Sequence, residues 1–244
     1  MNLHILGCGD AFGRGGRHQS SYLVEASDRL FLLDCGPTAL LAMKRTGIDP
    51  RRLDAIILSH LHGDHFGGVP FFFIEYLYQR PKRDPLVVAG PSGTEEKVRQ
   101  LFQLMYGGGS SEKALPPTCF QVLIPDEPAS VKGIEVLPFR VPHQSHESSL
   151  GFTVRYQGKR VLFSGDSKWT EIFIEKARGI DLFLCECSFY SQQPGMHANY
   201  HDLQANLSRL ESKQLILTHL GEEMLAHQGE LAARVAADGM VIEF

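Results

Sequence analysis

The chain has few cysteines and a single tryptophan, five and one among 244 residues. Cys8, Cys35, Cys119, Cys185 and Cys187 are odd in number and include no C-x-x-C pair. That argues against a disulfide framework and against a thiolate zinc site. They read as mostly buried, small apolar side chains in a reducing compartment. A basic stretch is also missing. The net charge is −4 with acids and bases intermixed, so the sequence shows no footprint for a phosphate backbone. The longest apolar stretch, Phe66 to Tyr78, is broken by Pro70 and Glu75 and is too short to span a bilayer. Met1 to Leu6 lacks the basic region that opens a secretory signal. Together these lacks lead to the expectation of a cytoplasmic protein with no membrane contact. What is present, 43% hydrophobic residues, is enough for one large α/β domain, expected over residues 1–244.

Against that background one stretch stands out, Leu58-Ser59-His60-Leu61-His62-Gly63-Asp64-His65. Three imidazoles and a carboxylate within six positions, H-x-H-x-D-H, are the usual ligands of Zn²⁺, Mn²⁺ or Fe²⁺. Leu53 to Leu58 is a short apolar run that reads as a buried strand, so the ligands follow a rigid base. Gly63, Gly67 and Gly68 are expected to let the loop fold tightly. Upstream, Leu3 to Leu6 reads as a strand running into the Gly-rich segment Gly7 to Arg17. That segment is either a wide turn or a loop facing substrate, and in the second case Arg14 and Arg17 would contact phosphate. Ser20 to Glu25 and Arg29 to Leu33 read as a hairpin. Downstream, Ser92 with Glu95 reads as the capped start of a helix to about Leu104. Tyr106 to Ser111 reads as a lid or a connector. Trp169 to Arg178 and Asp202 to Leu210 read as helices. Further strands are expected over 119–124, 134–141, 152–157, 159–163, 181–187, 214–220 and 240–244.

H-x-H-x-D-H after an apolar strand resembles the signature of the metallo-β-lactamase-fold hydrolases. The resemblance continues along nearly all of the chain. Leu33-Asp34-Cys35-Gly36 is similar to the family's D-x-G turn, whose Asp supports the metal loop. Asp34 is therefore expected to hydrogen-bond a ligand, to cap the following helix Pro37 to Thr46, or both. The third metal histidine should follow the strand that ends at Val141. His143 is the first choice there and His146 the alternative. Ser164-Gly165-Asp166 resembles the turn carrying the bridging carboxylate, and Leu217-Thr218-His219 the turn carrying the final ligand. Glu186 and His197 resemble the Glu–His pair of the tRNA 3′-processing endonuclease and related phosphodiesterases, with His201 close enough to be confused with His197. His4, His18 and His227 match no motif.

The resemblance implies a four-layer αββα sandwich, where periodicity alone yields only mixed α/β. It implies two divalent metal ions, zinc first, with manganese or iron as alternatives. One would take His60, His62 and His143, the second Asp64, His65 and His219, and Asp166 would bridge them. Asp64, His197 and Glu186 form the catalytic set, with a metal-bridging hydroxide as nucleophile and His197 as general acid. The Glu186/His197 pair favours the phosphodiesterase-like branch. Only Gln144 to Gly165 separates the third histidine from the bridging aspartate, which leaves no room for the arm that grips tRNA in the tRNA-processing members. A small phosphodiester, such as a cyclic nucleotide or cyclic sugar phosphate, is thus the expected substrate. Hydrolysis of a thioester or lactone is the first alternative. An RNA-processing nuclease without the arm and a metal-binding module without catalysis are the others. Relatives of this kind often form homodimers.

Overall fold

In the computed structural model, residues 1–79, 81, 84–107, 114–144, 148–193 and 195–244 are described. The expected alternative ligand His146 and most of the Tyr106–Ser111 segment lie outside them. Among the described residues, fourteen strands form two seven-stranded sheets. The first contains β1 (Asn2–Gly7), β2 (Ser21–Glu25), β3 (Leu30–Leu33), β4 (Ala55–Ile57), β5 (Leu86–Gly90), β6 (Thr118–Val122) and β14 (Val241–Glu243), in the order β14-β1-β2-β3-β4-β5-β6. The second contains β7 (Ala129–Val131), β8 (Ile134–Arg140), β9 (Leu150–Tyr156), β10 (Lys159–Phe163), β11 (Leu182–Glu186), β12 (Gln214–Thr218) and β13 (Arg234–Val235), in the order β13-β12-β11-β10-β9-β8-β7. Each sheet is antiparallel on one side and parallel on the other, across β3-β4-β5-β6 and β10-β11-β12-β13.

Side-chain alternation explains the layers. Along β3, Phe31 and Leu33 enter the core between the sheets, while Leu30 and Leu32 face the outer layer. Both faces are apolar, so the strand is buried on both sides, as expected where parallel strands are covered by helices. The inner core joins Tyr22, Val24 and Ile57 to Phe152, Val161, Phe163, Leu184 and Ile216 of the opposing sheet. Outside the first sheet lie α1 (Ala39–Thr46), α2 (Gly63–Phe66), α3 (Val69–Ile74) and α4 (Thr94–Tyr106), through Met43, Phe66, Phe72, Phe73 and Phe102. Outside the second lie α5 (Ile172–Lys176), α6 (Tyr200–Asn206) and α7 (Glu222–Ala226), through Phe173, Leu203 and Met224. This is the expected αββα sandwich.

Several local expectations need correction. The N-cap of α4 is Gly93 at φ 88°, and no side chain caps the helix, so Ser92 and Glu95 form no capping box. The 169–178 segment is helical only over Ile172–Lys176; before it the Lys168 N–H bonds the Pro142 carbonyl at 3.0 Å rather than a helical partner. Asp34 caps nothing, since Thr38 occupies the N-cap of α1. Four cysteines are buried and Cys119 is exposed. Among the described residues no helix is long and apolar enough to cross a membrane.

Candidate metal centre

The parallel strands of both sheets deliver their C-terminal ends to one edge of the sandwich, the place where open α/β sheets bind ligands. Asp34 follows β3, the Ser59–His65 loop follows β4, Asp166 follows β10, Glu186 ends β11, and His219 follows β12. Asp34 and His219 both leave their strands at φ 56°, a left-handed turn that Asp and His tolerate better than branched residues. The loop after β4 packs hard on the Asp34 turn. A Cβ on Gly68 would sit 2.1 Å from the Gly36 carbonyl oxygen, and one on Gly67 would sit 2.4 Å from that of Gly63. Gly63 itself has open space around its Cα, so of the three expected glycines only Gly67 and Gly68 are demanded by packing.

Ligand-type atoms of His60, His62, His143 and Asp166 lie within 4.8 Å of one another, as do those of Asp64, His65, Asp166 and His219. All seven residues expected to hold metal thus converge, and Asp166 belongs to both groups. The hydrogen bonds around them fix the histidine tautomers. His65 Nδ1 donates to Asp34 Oδ2 at 2.7 Å. The Ser59 hydroxyl donates to Asp34 Oδ2 at 2.8 Å, so its oxygen is left to accept from His60 Nδ1 at 3.0 Å. His143 Nδ1 donates to the Met196 carbonyl at 3.2 Å. The Ser188 hydroxyl donates to Glu186 Oε1 at 2.7 Å and accepts from His219 Nδ1 at 2.9 Å. Each of these four rings therefore presents an Nε2 lone pair inward, held by a partner behind it. His62 instead turns Nδ1 inward, 3.0 Å from His60 Nε2 and 3.2 Å from His143 Nε2.

The donor set fits divalent cations. With their Nδ1–H groups engaged behind the rings, His60, His65, His143 and His219 turn unprotonated Nε2 atoms toward one another and toward the carboxylates. His65 Nε2 is buried without a hydrogen-bond partner, although it lies 3.2 Å from Asp64 Oδ2 and 3.2 Å from Asp166 Oδ2. Such an orphan at the meeting point of two carboxylates suits a cation bound by nitrogen and oxygen. Burial, joined by the neighbouring imidazoles, pushes His60 and His62 below the usual histidine range, favouring the neutral ring a metal needs. Burial lowers His143 as well. Burial works to raise Asp64, but His65 and His219 outweigh it and keep the carboxyl ionised.

Glu186 and His197 stand beside this cluster. His197 Nδ1 donates to Glu186 Oε1 at 2.7 Å and lies 3.8 Å from Asp166 Oδ2. Glu186 is buried and well satisfied, since its Oε2 accepts from the Ser167 and Ala198 N–H groups at 2.8 and 3.2 Å. Burial opposes the protonated imidazole, yet the Glu186 hydrogen bond and charge hold His197 up to about 9. His201 instead packs on Tyr190, 5.1 Å between ring centroids. A cavity of about 750 Å³ opens over the cluster and is lined by Phe12, Arg14, Asp64, Asp166, His197 and His219 among others. The Gly-rich loop therefore faces the cavity, with one correction. Arg17 does not line it; its guanidinium bonds the Ala236 carbonyl at 2.7 Å and Cys8 Sγ at 2.9 Å. Of the unassigned histidines, His4 pairs with Glu25, His18 with Asp238 and His227 with Glu230.

Sequence reasoning missed Ser188, which ties Glu186 to His219, and Asp10, whose carboxylate holds the Gly-rich loop. Ser188 had a signal: it lies two residues beyond Glu186, on the same side of an extended chain. Asp10 had none.

A family model described as anti-Pycsar protein Apyc1 matches residues 1–238. Ribonuclease Z from Anoxybacillus flavithermus is 25% identical over 293 aligned residues, covering 99% of this chain and 93% of that protein. An anti-Pycsar protein Apyc1 from Saccharibacillus brassicae is 33% identical over 115 residues, 47% of this chain and 45% of that one. Among solved structures, the metallo-β-lactamase-fold protein YhfI from Bacillus subtilis superposes with a TM-score of 0.80 at 22% identity, covering 99% of both chains.

Proposed function

The chain belongs to the anti-Pycsar protein Apyc1 family and is a metal-dependent hydrolase of the metallo-β-lactamase fold, and from that premise we propose that it is a dinuclear phosphodiesterase acting on a small phosphodiester. In this reading His60, His62 and His143 would hold one cation and Asp64, His65 and His219 the other, with Asp166 within reach of both groups. Two divalent ions in such a site, zinc being the first choice, supply Lewis acidity and lower the pKa of water toward neutrality.

The chain's own residues supply the rest. Asp64, which lines the cavity, accepts a hydrogen bond from the attacking water and orients it. His197 carries the acid function. Its Nδ1–H is engaged by Glu186, so the proton it can give up sits on Nε2. Delivered to the departing oxygen, that proton spares the reaction an alkoxide leaving group. Glu186 keeps the imidazole oriented and protonated, and the Ser167 and Ala198 N–H groups keep Glu186 in place.

The single observation that carries the phosphodiester reading is the 2.7 Å Glu186–His197 contact at the edge of the metal cluster. An acyl hydrolase expelling a thiolate has little use for a half-buried imidazole acid held by a buried carboxylate. Small size of the substrate is supported by the net charge of −4 and by β9 and β10 filling the space between His143 and Asp166, where a tRNA-gripping arm would have to insert. The test is release of p-nitrophenol from bis(p-nitrophenyl) phosphate by protein loaded with Zn²⁺ or Mn²⁺, beside a thioester and a lactone. Turnover of the diester alone supports the reading. Turnover of the thioester or lactone alone, by protein holding two metals, would sink it.

A further inference from the structure

Of the five histidines expected to hold metal, four are held from behind at Nδ1, by Ser59, Asp34, Met196 or Ser188. His62 differs. Its Nδ1 faces inward, 3.0 Å from His60 Nε2 and 3.2 Å from His143 Nε2, so Nε2 is the nitrogen that needs an outer partner. His62 is also exposed, whereas the other four are buried. Close packing therefore does not fix its ring, and a half-turn about Cβ–Cγ would put a carbon where Nδ1 now sits. The outer partner is Gln144, whose amide end lies 2.6 Å from His62 Nε2 through its nitrogen. Gln144 immediately follows His143, so one turn of chain supplies a ligand and reaches across to another. That turn is pinned on its own account. The Pro142 carbonyl accepts from the Lys168 N–H at 3.0 Å, and His143 Nδ1 donates to the Met196 carbonyl at 3.2 Å. Gln144 does not line the cavity over the cluster, so it is placed to act on His62 rather than on a bound molecule.

We propose that Gln144 is a positioning residue for the cation that His60, His62 and His143 would hold: its amide oxygen accepts from His62 Nε2–H and keeps the Nδ1 lone pair aimed inward. This rests on the two-cation reading and is independent of the reaction. An amide can serve either form of the ring, because half a turn about its last bond exchanges N–H donors for an acceptor oxygen. With the nitrogen in front, Gln144 donates to a bare Nε2, and the ring proton then sits on Nδ1, between His60 Nε2 and His143 Nε2. A cation on Nδ1 requires that proton on Nε2 instead. Two N–H groups cannot bond one another, so the amide oxygen must then come forward. Ligand histidines are ordinarily held by an acceptor at the far nitrogen, which fixes both tautomer and ring orientation.

The test compares wild type with Gln144→Met, similar in length but without a hydrogen-bonding end, and with Gln144→Glu, whose carboxylate can only accept. Zinc binding is read as two steps by competition with a chromogenic chelator. Gln144→Met should weaken one step by about tenfold and leave the other as in wild type, and Gln144→Glu should restore the weakened step. In zinc-loaded, ¹⁵N-labelled protein, long-range ¹H–¹⁵N spectra should place the His62 proton on Nε2 in wild type and in Gln144→Glu. Two steps of wild-type strength in Gln144→Met overturn the assignment, as do equal weakening of both steps, a Gln144→Glu protein as weak as Gln144→Met, or a His62 proton on Nδ1. A wild type that takes up no zinc overturns it together with the two-cation reading. The expected zinc steps in a protein that hydrolyses no diester refute the reaction and leave the role of Gln144 standing.

Discussion

Replacing Asp34 by Asn tests how the second layer of hydrogen bonds prepares the site. Asp34 is fully buried and accepts three hydrogen bonds: from the Ser59 N–H at 2.7 Å, the Ser59 hydroxyl at 2.8 Å and His65 Nδ1 at 2.7 Å. Asn is nearly isosteric and, like Asp, tolerates the φ of 56° found here, so the exchange adds no backbone strain. If its oxygen keeps the Ser59 N–H, its amide group must face His65 Nδ1. The ring then has to give up its Nδ1 proton and carry it on Nε2, aimed at Asp64 and Asp166 where a metal lone pair is needed. The Ser59 hydroxyl also loses its acceptor, and with it the reason for His60 Nδ1 to donate. Losses of this kind in a metal site run about 10–100-fold in affinity, or about 1.4–2.7 kcal/mol. The larger share should fall on the position made by Asp64, His65 and His219. The assay is a competition titration with a chromogenic zinc chelator, reading two binding steps. A folded Asp34→Asn protein that binds both metals as tightly as wild type would refute the reasoning.

Further outcomes follow from the Glu186–His197 pair and from the packing of the loop after β4. The Glu186 carboxylate raises His197 above the ordinary histidine range, and the acid must be protonated to act, so kcat/KM on an alkyl phosphodiester should fall with rising pH on the alkaline side of neutrality. In Glu186→Gln, the descending limb should move to lower pH; an unmoved limb in a pH–rate profile would assign it to another group. The same linkage makes the stability from this pair full below the ordinary histidine pKa and lost as pH climbs through about 9. Gly68→Ala should cost about 2–3 kcal/mol or more, because its Cβ would stand 2.1 Å from the Gly36 carbonyl oxygen, whereas Gly63→Ala, with open space, should cost under about 1 kcal/mol. Equal chemical-denaturation midpoints for the two variants would contradict this.

The legible parts of the sequence were those written by period or by ligand chemistry. The unbroken apolar runs at Leu30 to Leu33 and before His60 mark strands, and the observed elements agree within a few residues. All seven expected ligands converge because each sits just past a buried strand, where few backbone paths are open. What was hidden depends on tertiary partners. β13 is two residues long and exists only through pairing with β12, which no local pattern announces. Arg14 and Arg17 look equivalent in the chain, yet one reaches Glu222 at the cavity and the other turns to the Ala236 carbonyl. Ser92 was an apt cap by composition, but the αL turn at Gly93 takes that position.

In the proposed reaction His197, held by Glu186, protonates the leaving oxygen of a phosphodiester. The measurement that tests it most directly is kcat/KM of wild type and His197→Ala on two diesters with different leaving groups, 3′,5′-cyclic AMP and bis(p-nitrophenyl) phosphate. Cyclic AMP expels a ribose alkoxide and needs the proton, whereas p-nitrophenolate departs without one. His197→Ala should lose about 10²–10⁴-fold on cyclic AMP and less than about tenfold on the p-nitrophenyl ester. Equal losses on both substrates, or full activity of the variant on cyclic AMP, would contradict it.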